Sequence, residues 1–459
     1  MGTTAVILAA GKGVRMKSSL PKVMHRVAGR AMVEQVIDAC RHAGVDHIVV
    51  VVGYGKEQLE DMLAGQDVLF AVQSEQLGTG HALLQARSQV GDQETVLVLA
   101  GDTPLLRGET LKNLLSYHQA ADNQATVLTA PVINPRGYGR IIRQADGTFH
   151  RVVEEKDASP EQKLINEINT GVYAFNAKPA FQALLTLQPN NAQGEYYLTD
   201  ILEKLLNSGC RVEALAAGNE EEIMGVNDRV QLAVAEAVLQ DRKRVELMQA
   251  GVTILAPATT FIDSQVEVAA DTIIHPFTIL EGNTCIGTGC EIGPSTHITD
   301  SQIGDGCQVL SSRLWQAQMG KACEIGPFAY LRPGTVLEDQ VKVGDFVEVK
   351  NSHIKQGSKL PHLSYVGDAE VGPRANVGAG TITCNYDGVN KYRTIIGPDA
   401  FIGSNTNLVA PVTIGEWATT GAGSTITRDV PPGTLAVERA EQKQISDWAK
   451  KSGRMKKHN

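Results

Sequence analysis

Apolar residues follow two rhythms along this chain, and the rhythm changes near residue 228. Before that point, short apolar runs alternate with helical spacing. Val6 to Ala10 reads as a buried strand, and His47 to Val52 and Thr95 to Ala100 are near-continuous apolar runs. Between the first two, Val33, Ile37 and Cys40 share one helix face, and Gly44 stops that helix. Strands apolar on both faces and separated by helices predict a mostly parallel, Rossmann-like α/β sheet covered on both sides.

From Arg229 to Gln249, Val230, Val234 and Val238, with Leu232, Ala235 and Leu239, recur at helical spacing. One long linking helix is expected, ended by Gly251. Beyond it the period becomes six. Aliphatic residues stand at Ile274, Leu280, Ile286, Ile292 and Ile298, again at Ile325, Leu331, Leu337, Val343 and Val349, and at Ile396, Ile402, Leu408, Ile414 and Ile426. Small or β-branched residues follow four positions later, as at Thr278, Thr284, Cys290 and Thr296. Gly often stands directly after the aliphatic and is read as permitting the turn. A period of six is not helical. It predicts a parallel β-helix with one short strand and one turn per hexapeptide, three hexapeptides making a coil of about 18 residues. Roughly ten coils about 4.8 Å apart make a prism on the order of 50 Å long. Arg313 to Lys321 and Cys384 to Arg393 break the repeat and are expected to protrude as loops, where sites usually lie.

The expected domains are therefore 1–228, a linker helix at 229–250, and 251–459 with a C-terminal tail. The net charge of −9 argues against a nucleic-acid backbone as main partner. The basic run from Lys450 to Lys457 reads as solvated tail. Seven cysteines with no Cys-x-x-Cys suit a reducing cytosol better than a disulfide framework. The start has no basic n-region, Val6 stands where myristoylation wants Ser or Thr, and no stretch is long enough to span a bilayer, so a cytoplasmic location and no membrane partner are expected.

Chemistry enters directly after the first strand, in Leu8-Ala9-Ala10-Gly11-Lys12-Gly13-Val14-Arg15-Met16 followed by Pro21-Lys22. This is neither a Walker A loop nor Gly-x-Gly-x-x-Gly. A Gly-rich strand-to-helix turn still presents N–H groups to anions, and Arg15 and Lys22 add charge for a triphosphate. Further elements follow in order: Gln73 with Gln76-Leu77-Gly78-Thr79-Gly80, Gly101-Asp102, Gly137-Tyr138-Gly139-Arg140, Glu154-Glu155-Lys156, Asn169-Thr170-Gly171 and Gly225-Val226-Asn227. In the second half come Lys359 to Asp368, where His362 interrupts the period of six and is expected on a loop, and Asn376 to Gly388.

Together these motifs resemble the family of bifunctional N-acetylglucosamine-1-phosphate uridyltransferases/glucosamine-1-phosphate acetyltransferases, over nearly the whole chain. The resemblance implies a left-handed β-helix, a homotrimer, and a product that feeds bacterial cell-envelope synthesis. It implies that Leu8, Ala9, Ala10, Gly11, Lys22, Gln73, Gly78 and Thr79 bind UTP, and that Gly139, Glu154, Asn169 and Asn227 belong to the nucleotide-sugar site. Asp102 and Asn227 would ligate Mg²⁺. Asp102 does follow a strand at its carboxyl end, where ligands bind in open α/β sheets. Some relatives carry Tyr before the Gly-Asp pair, where this chain has Ala100.

In the acetyltransferase half, the resemblance makes His362 the general base, and a free imidazole titrates near pH ~6.5, suited to that task. Arg332 and Lys350 would pair with the sugar phosphate, and Tyr365, Asn376, Asn385 and Tyr386 would complete the sugar pocket. Ala379, Ser404, Ala422 and Arg439 would contact acetyl-CoA, with the Ala379 N–H stabilising the oxyanion. The expected co-substrates are thus glucosamine 1-phosphate, acetyl-CoA and UTP. Two rivals remain at this point: a monofunctional nucleotidyltransferase with an oligomerising β-helix, and a β-helix scaffold carrying a degenerate enzyme. A zinc site among His275, His297 and His353 is not expected, because they lie on separate coils.

Overall fold

The computed structural model describes residues 2–455, so Lys456 and Lys457 of the basic run lie outside the described residues. Contacts divide the chain into two units, Met1–Arg242 and Lys243–Asn459. The first is built on one sheet. Its strands are β1 (Thr3–Leu8), β2 (His47–Val52), β3 (Leu69–Val72), β4 (Thr95–Ala100), β5 (Ala125–Pro131), β6 (Arg140–Arg143), β7 (Phe149–Val153), β8 (Glu167–Asn176) and β9 (Val212–Ala216). They lie in the order β9-β5-β8-β4-β1-β2-β3, with β6 paired to β8 and β7. Strands β4, β1, β2 and β3 are parallel, and β8 runs antiparallel to its neighbours β4 and β5.

The near-continuous apolar runs arise because both faces of this sheet are covered. Val6, Val49, Val51, Val96 and Val98 pack against Leu83, Phe181 and Ile201 on one side. Their neighbours Ala5, Ile7, Val50, Leu97 and Leu99 pack against Val33, Ile37, Cys40 and Leu111 on the other. Each fully buried aliphatic contributes about 1.5–3 kcal/mol relative to exposure, which explains why these strands tolerate no polar alternation. The helix Met32–His42 begins where Glu34 accepts a 2.8 Å hydrogen bond from the Ala31 N–H, and it ends before Gly44 at φ +80°.

The linking helix spans Arg229–Gln249, as its spacing predicts, but its apolar residues are buried unequally. Ala235 is fully buried with Val27, Met32, Leu105 and Val226, and Leu232, Val238 and Leu239 pack partly against them. Val230 is 74 % and Val234 47 % exposed, because the helix turns the face carrying Ala235 inward.

The second unit is a left-handed parallel β-helix. Its three sheets contain eleven, ten and nine short strands, which agrees with about ten coils. Ile274, Ile292, Val309, Ile325, Val343 and Leu360 stack along one wall, and the predicted inward aliphatics are buried with their small partners in one continuous core. Coil length varies from 16 residues, between Val309 and Ile325, to 25, between Val377 and Ile402. The long coil carries the predicted protrusion after Cys384, with Tyr386 and Val389 exposed.

Three expectations are corrected. Arg313 to Lys321 does not protrude. Arg313–Trp315 and Gln318–Met319 are ordinary strands, and Leu314, Ala317 and Met319 are buried. Two successive rungs, Val309 to Leu314 and Leu314 to Met319, are five residues long, so the shortened count looks like a break. Gly after the aliphatic is needed mainly for close approach rather than for turning. A Cβ on Gly403 would stand 2.5 Å from the Thr420 carbonyl oxygen on the next coil. Left-handed corners are instead occupied by residues such as Phe277, Phe328 and Phe346. Finally, His362 is not on a loop. It is the last residue of the strand Lys359–His362, at a corner of the prism.

No helix among the described residues is long and apolar enough to cross a membrane.

Candidate active sites

In the first unit, the loops after β1 and β4 open onto a cavity of about 270 Å³. Leu8, Ala9, Ala10 and Gly11 line it from the first turn, with Lys22, Gln73, Gly78, Thr79 and Asp102. Gln73 donates to the Gly78 carbonyl at 3.1 Å, and the Thr79 hydroxyl accepts from the Leu198 N–H at 3.0 Å. Gly78 sits at φ +112°, and a Cβ there would come within 2.7 Å of the Tyr196 carbonyl oxygen. Only glycine allows that strap to close against the cavity. Gly13, at φ +59°, lies so close to the Lys22 side chain that a Cβ would approach it to 2.5 Å. The Gly-rich turn therefore seats Lys22.

Lys22 reaches across the cavity floor. Its ammonium pairs with Asp102 and donates to Asn227 Oδ1 at 3.2 Å, and Arg15 donates to the same oxygen at 2.8 Å. Two oxygen donors from distant loops thus converge on one shared cation, the Lys22 ammonium. Asp102 is fixed to the Asn227 segment by a 2.8 Å bond from the Val226 N–H to its carbonyl.

Gly139, Glu154 and Asn169 form a second group, outside the residues that line the cavity. A Cβ on Gly139 would meet the Glu154 carboxylate at 3.3 Å, and the Asn169 N–H donates to the Gly139 carbonyl at 2.9 Å. Burial raises the Glu154 carboxyl above its ordinary range, against a lowering by the Thr199 hydroxyl. Beneath Gly139, Arg140 is fully buried and paired with Glu155 at 2.7 Å, which anchors the strand. Glu195, which also lines the cavity, carries no motif signal.

In the second unit, coil stacking assembles an edge from residues far apart in sequence. His362-Leu363, Ala379-Gly380, Ser404-Asn405 and Ala422-Gly423 occupy one corner on successive coils, about 4.8 Å apart. Backbone bonds join them: Gly380 N–H to Leu363 (3.1 Å), Asn405 N–H to Ala379 (2.7 Å) and Gly423 N–H to Ser404 (2.8 Å). The Ala379 N–H takes no part in this ladder. Arg439 folds onto the same edge and donates to the Ala422 carbonyl at 3.1 Å.

The adjoining face carries the polar cluster. Tyr330, Glu348 and Tyr365 occupy matching rungs of one sheet, with Arg332 and Lys350 at the strand ends. Arg332 pairs with Glu348 at 2.7 Å and lies 6.0 Å from the Tyr330 ring. Lys391, which the motifs do not flag, is brought back by a bridge to Tyr386 and held beside Lys350, whose ammonium it pushes below the usual lysine range. Two like charges in contact form a ready anion site. Asp368 accepts from Asn385 and, at 2.5 Å, from Asn351. Asn376 stands on another face, in register with Lys359 and Phe401, so one prism does not bring it alongside Tyr365. His275, His297 and His353 each pair with a glutamate at 2.8–2.9 Å. No group of three His, Cys, Asp or Glu side chains with metal-site geometry occurs among the described residues.

A phosphate-binding turn on a parallel sheet, joined to a hexapeptide prism with a histidine edge, defines a bifunctional transferase with nucleotidyltransferase and acetyltransferase halves. Residues 5–222 match the MobA-like NTP transferase domain, and residues 393–428 match the bacterial transferase hexapeptide with six repeats. The chain is 57 % identical to "Bifunctional protein GlmU" of Syntrophomonas wolfei, over 97 % of this chain and 99 % of that one. Proteins of the same name from Heliobacterium modesticaldum and Pelotomaculum thermopropionicum are each 56 % identical, over 96 % of both chains and over 98 % and 99 %, respectively. The chain belongs to the GlmU family of bifunctional proteins.

Proposed function

We propose that the chain acetylates glucosamine 1-phosphate with acetyl-CoA and then joins UTP to the product, releasing pyrophosphate and UDP-N-acetylglucosamine. The observation that carries this reading is the presence of two chemically different constellations in separate units of one chain. Residues 1–228 would be the uridyltransferase domain, 229–250 the linker, and 251–459 the acetyltransferase.

For uridylyl transfer, the turn Leu8 to Gly11 with Gln73, Gly78 and Thr79 would hold the nucleoside, and Arg15 and Lys22 the triphosphate. Gly139, Glu154 and Asn169 would seat the sugar. The sugar phosphate oxygen attacks the α-phosphorus in line, so orientation and charge neutralisation carry the rate. Asp102 and Asn227 would hold Mg²⁺, and their chemistry fits. Both are hard oxygen donors already gathered around one cation, the Lys22 ammonium, and Mg²⁺ takes few protein oxygens beside phosphate and water. When bound it supplies positive charge against the phosphate oxygens.

For acetyl transfer, His362 accepts the proton of the substrate amine as nitrogen attacks the thioester carbonyl. Arg332 and Lys350, joined by Lys391, would neutralise the sugar phosphate, with Tyr365, Asn376, Asn385 and Tyr386 around the sugar. Ala379, Ser404, Ala422 and Arg439 would run along acetyl-CoA. Because Asn376 and Tyr365 lie on different faces, a homotrimer completing each pocket from neighbouring prisms suits this arrangement. A cytoplasmic location fits the free thiols and the co-substrates.

The test separates the half-reactions. N-acetylglucosamine 1-phosphate with UTP and Mg²⁺ should release pyrophosphate without acetyl-CoA, and glucosamine 1-phosphate with acetyl-CoA should release free thiol without UTP. Pyrophosphate alone would leave a monofunctional nucleotidyltransferase and sink the bifunctional reading.

A further inference from the structure

The prism holds His362 differently from its other histidines. His275, His297 and His353 each use Nε2 to meet a glutamate, as surface ion pairs do. His362 instead uses Nδ1, and its partner is Asp345 on the coil beneath. The two residues are direct partners in the strand register, 17 residues or one coil apart.

The backbone is built for this pairing. In the eleven-stranded wall, Lys342–Asp345 and Lys359–His362 are four residues long, and every other strand has two. The extra length carries the ladder into the corner, where the Leu363 N–H donates to the Asp345 carbonyl at 2.9 Å. Gly344 makes the approach possible, since a Cβ there would lie 1.9 Å from the Pro361 carbonyl oxygen. Besides His362, the Asp345 carboxylate takes a hydrogen bond from its own backbone N–H.

We infer that Asp345 is a positioning residue for acetyl transfer, fixing the His362 ring in the tautomer that leaves Nε2 free to accept the amine proton. This deepens the reading of His362 as base and rests on it. A neutral imidazole carries one N–H, and the nitrogen that donates decides which one can accept. With Nδ1–H donated to a carboxylate, Nε2 takes the proton as the C–N bond forms. The C–S bond then breaks, and the imidazolium returns that proton to the departing CoA thiolate. Asp345 stays ionised throughout and stabilises the imidazolium electrostatically. The hydrogen bond from His362 holds the Asp345 carboxyl below its ordinary range, consistent with a permanent anion. Both side chains are partly solvated, so the gain is smaller than in a buried triad, where altering the carboxylate costs about 10⁴-fold.

The test uses the full chain carrying Asp345→Ala or Asp345→Asn. For the alanine variant, acetyl-transfer kcat should fall roughly tenfold or more, with the KM values of glucosamine 1-phosphate and acetyl-CoA within about twofold of wild type. In spectra of protein with ¹⁵N-labelled histidine, assigned by loss of the signal in His362→Gln, His362 should show Nδ1–H in the wild type and a mixture in Asp345→Ala. The asparagine variant keeps the shape of the side chain but carries no charge and can offer an amide N–H to Nδ1. It should lose the Nδ1–H tautomer and kcat as the alanine variant does, which keeps the inference testable should the alanine coil fail to fold. An unchanged tautomer, an unchanged kcat, or a rise in KM alone would overturn it. His362→Ala distinguishes the deeper failure: wild-type acetylation there would remove the base assignment itself, whereas loss there with an indifferent Asp345→Ala removes only the positioning role.

Discussion

The two units solve the same problem, gathering polar groups from distant sequence, by opposite means. In the sheet domain, Lys22 meets Asp102 and Asn227 across separations of 80 and 205 residues that follow no rule. Each group stands on its own loop at the sheet edge, and convergence depends on the whole α/β packing. In the prism, Asp345 and His362 lie 17 residues apart, one coil, and stacking alone brings them together. Irregular convergence ties chemistry to global folding, whereas periodic stacking lets one corner be written residue by residue along an edge.

This contrast can be broken at several points. The largest effect is expected from Asp102→Ala, which should lower UDP-sugar formation on the order of 10³-fold or more while acetyl transfer persists, measured by pyrophosphate and thiol release. Equal loss of both activities would contradict separate sites. His362→Ala should cut acetylation roughly 10²–10⁴-fold and spare uridylyl transfer. Gly344→Ala drives a Cβ into the Pro361 carbonyl and should cost about 1–3 kcal/mol in denaturation, together with acetylation, because the strain falls beside His362. Lys391→Met should raise the KM for glucosamine 1-phosphate about tenfold, the loss of one charge-assisted phosphate contact. The sign of its pH dependence follows from the repulsion: Lys391 depresses Lys350, so removing it returns Lys350 toward the ordinary lysine range. The phosphate affinity that remains should then hold to higher pH than in the wild type. Gly218→Ala, with nothing within 4 Å of the added methyl, should change stability by less than about 0.5 kcal/mol.

What could be read in advance follows the same division. The period of six placed the inward residues from Ile274 to Ile426, because a period is a local property that survives without tertiary context. It failed where two successive rungs are each one residue short, at Arg313 to Lys321, since a strict count of six treats shortened rungs as a break. Asp345 was missed although counting back one coil from His362 reaches it. In the sheet domain the motifs named Lys22, Asp102 and Asn227, but nothing in their spacing says that they meet. Lys391 escaped because a basic residue in a loop is unremarkable until the Tyr386 bridge turns it back on Lys350. Val230 and Val234 share the helical period with Val238 yet face solvent, since periodicity marks a face without saying what covers it.

The central claim is that two independent transfer sites on one chain act in succession on one sugar. Complementation tests it most directly. With Mg²⁺, UTP, acetyl-CoA and glucosamine 1-phosphate, Asp102→Ala alone should accumulate N-acetylglucosamine 1-phosphate, and His362→Ala alone should leave the amino sugar unchanged. Mixing the two purified variants should restore UDP-N-acetylglucosamine. A mixture that forms none, although each variant retains its other half-reaction, would contradict the account.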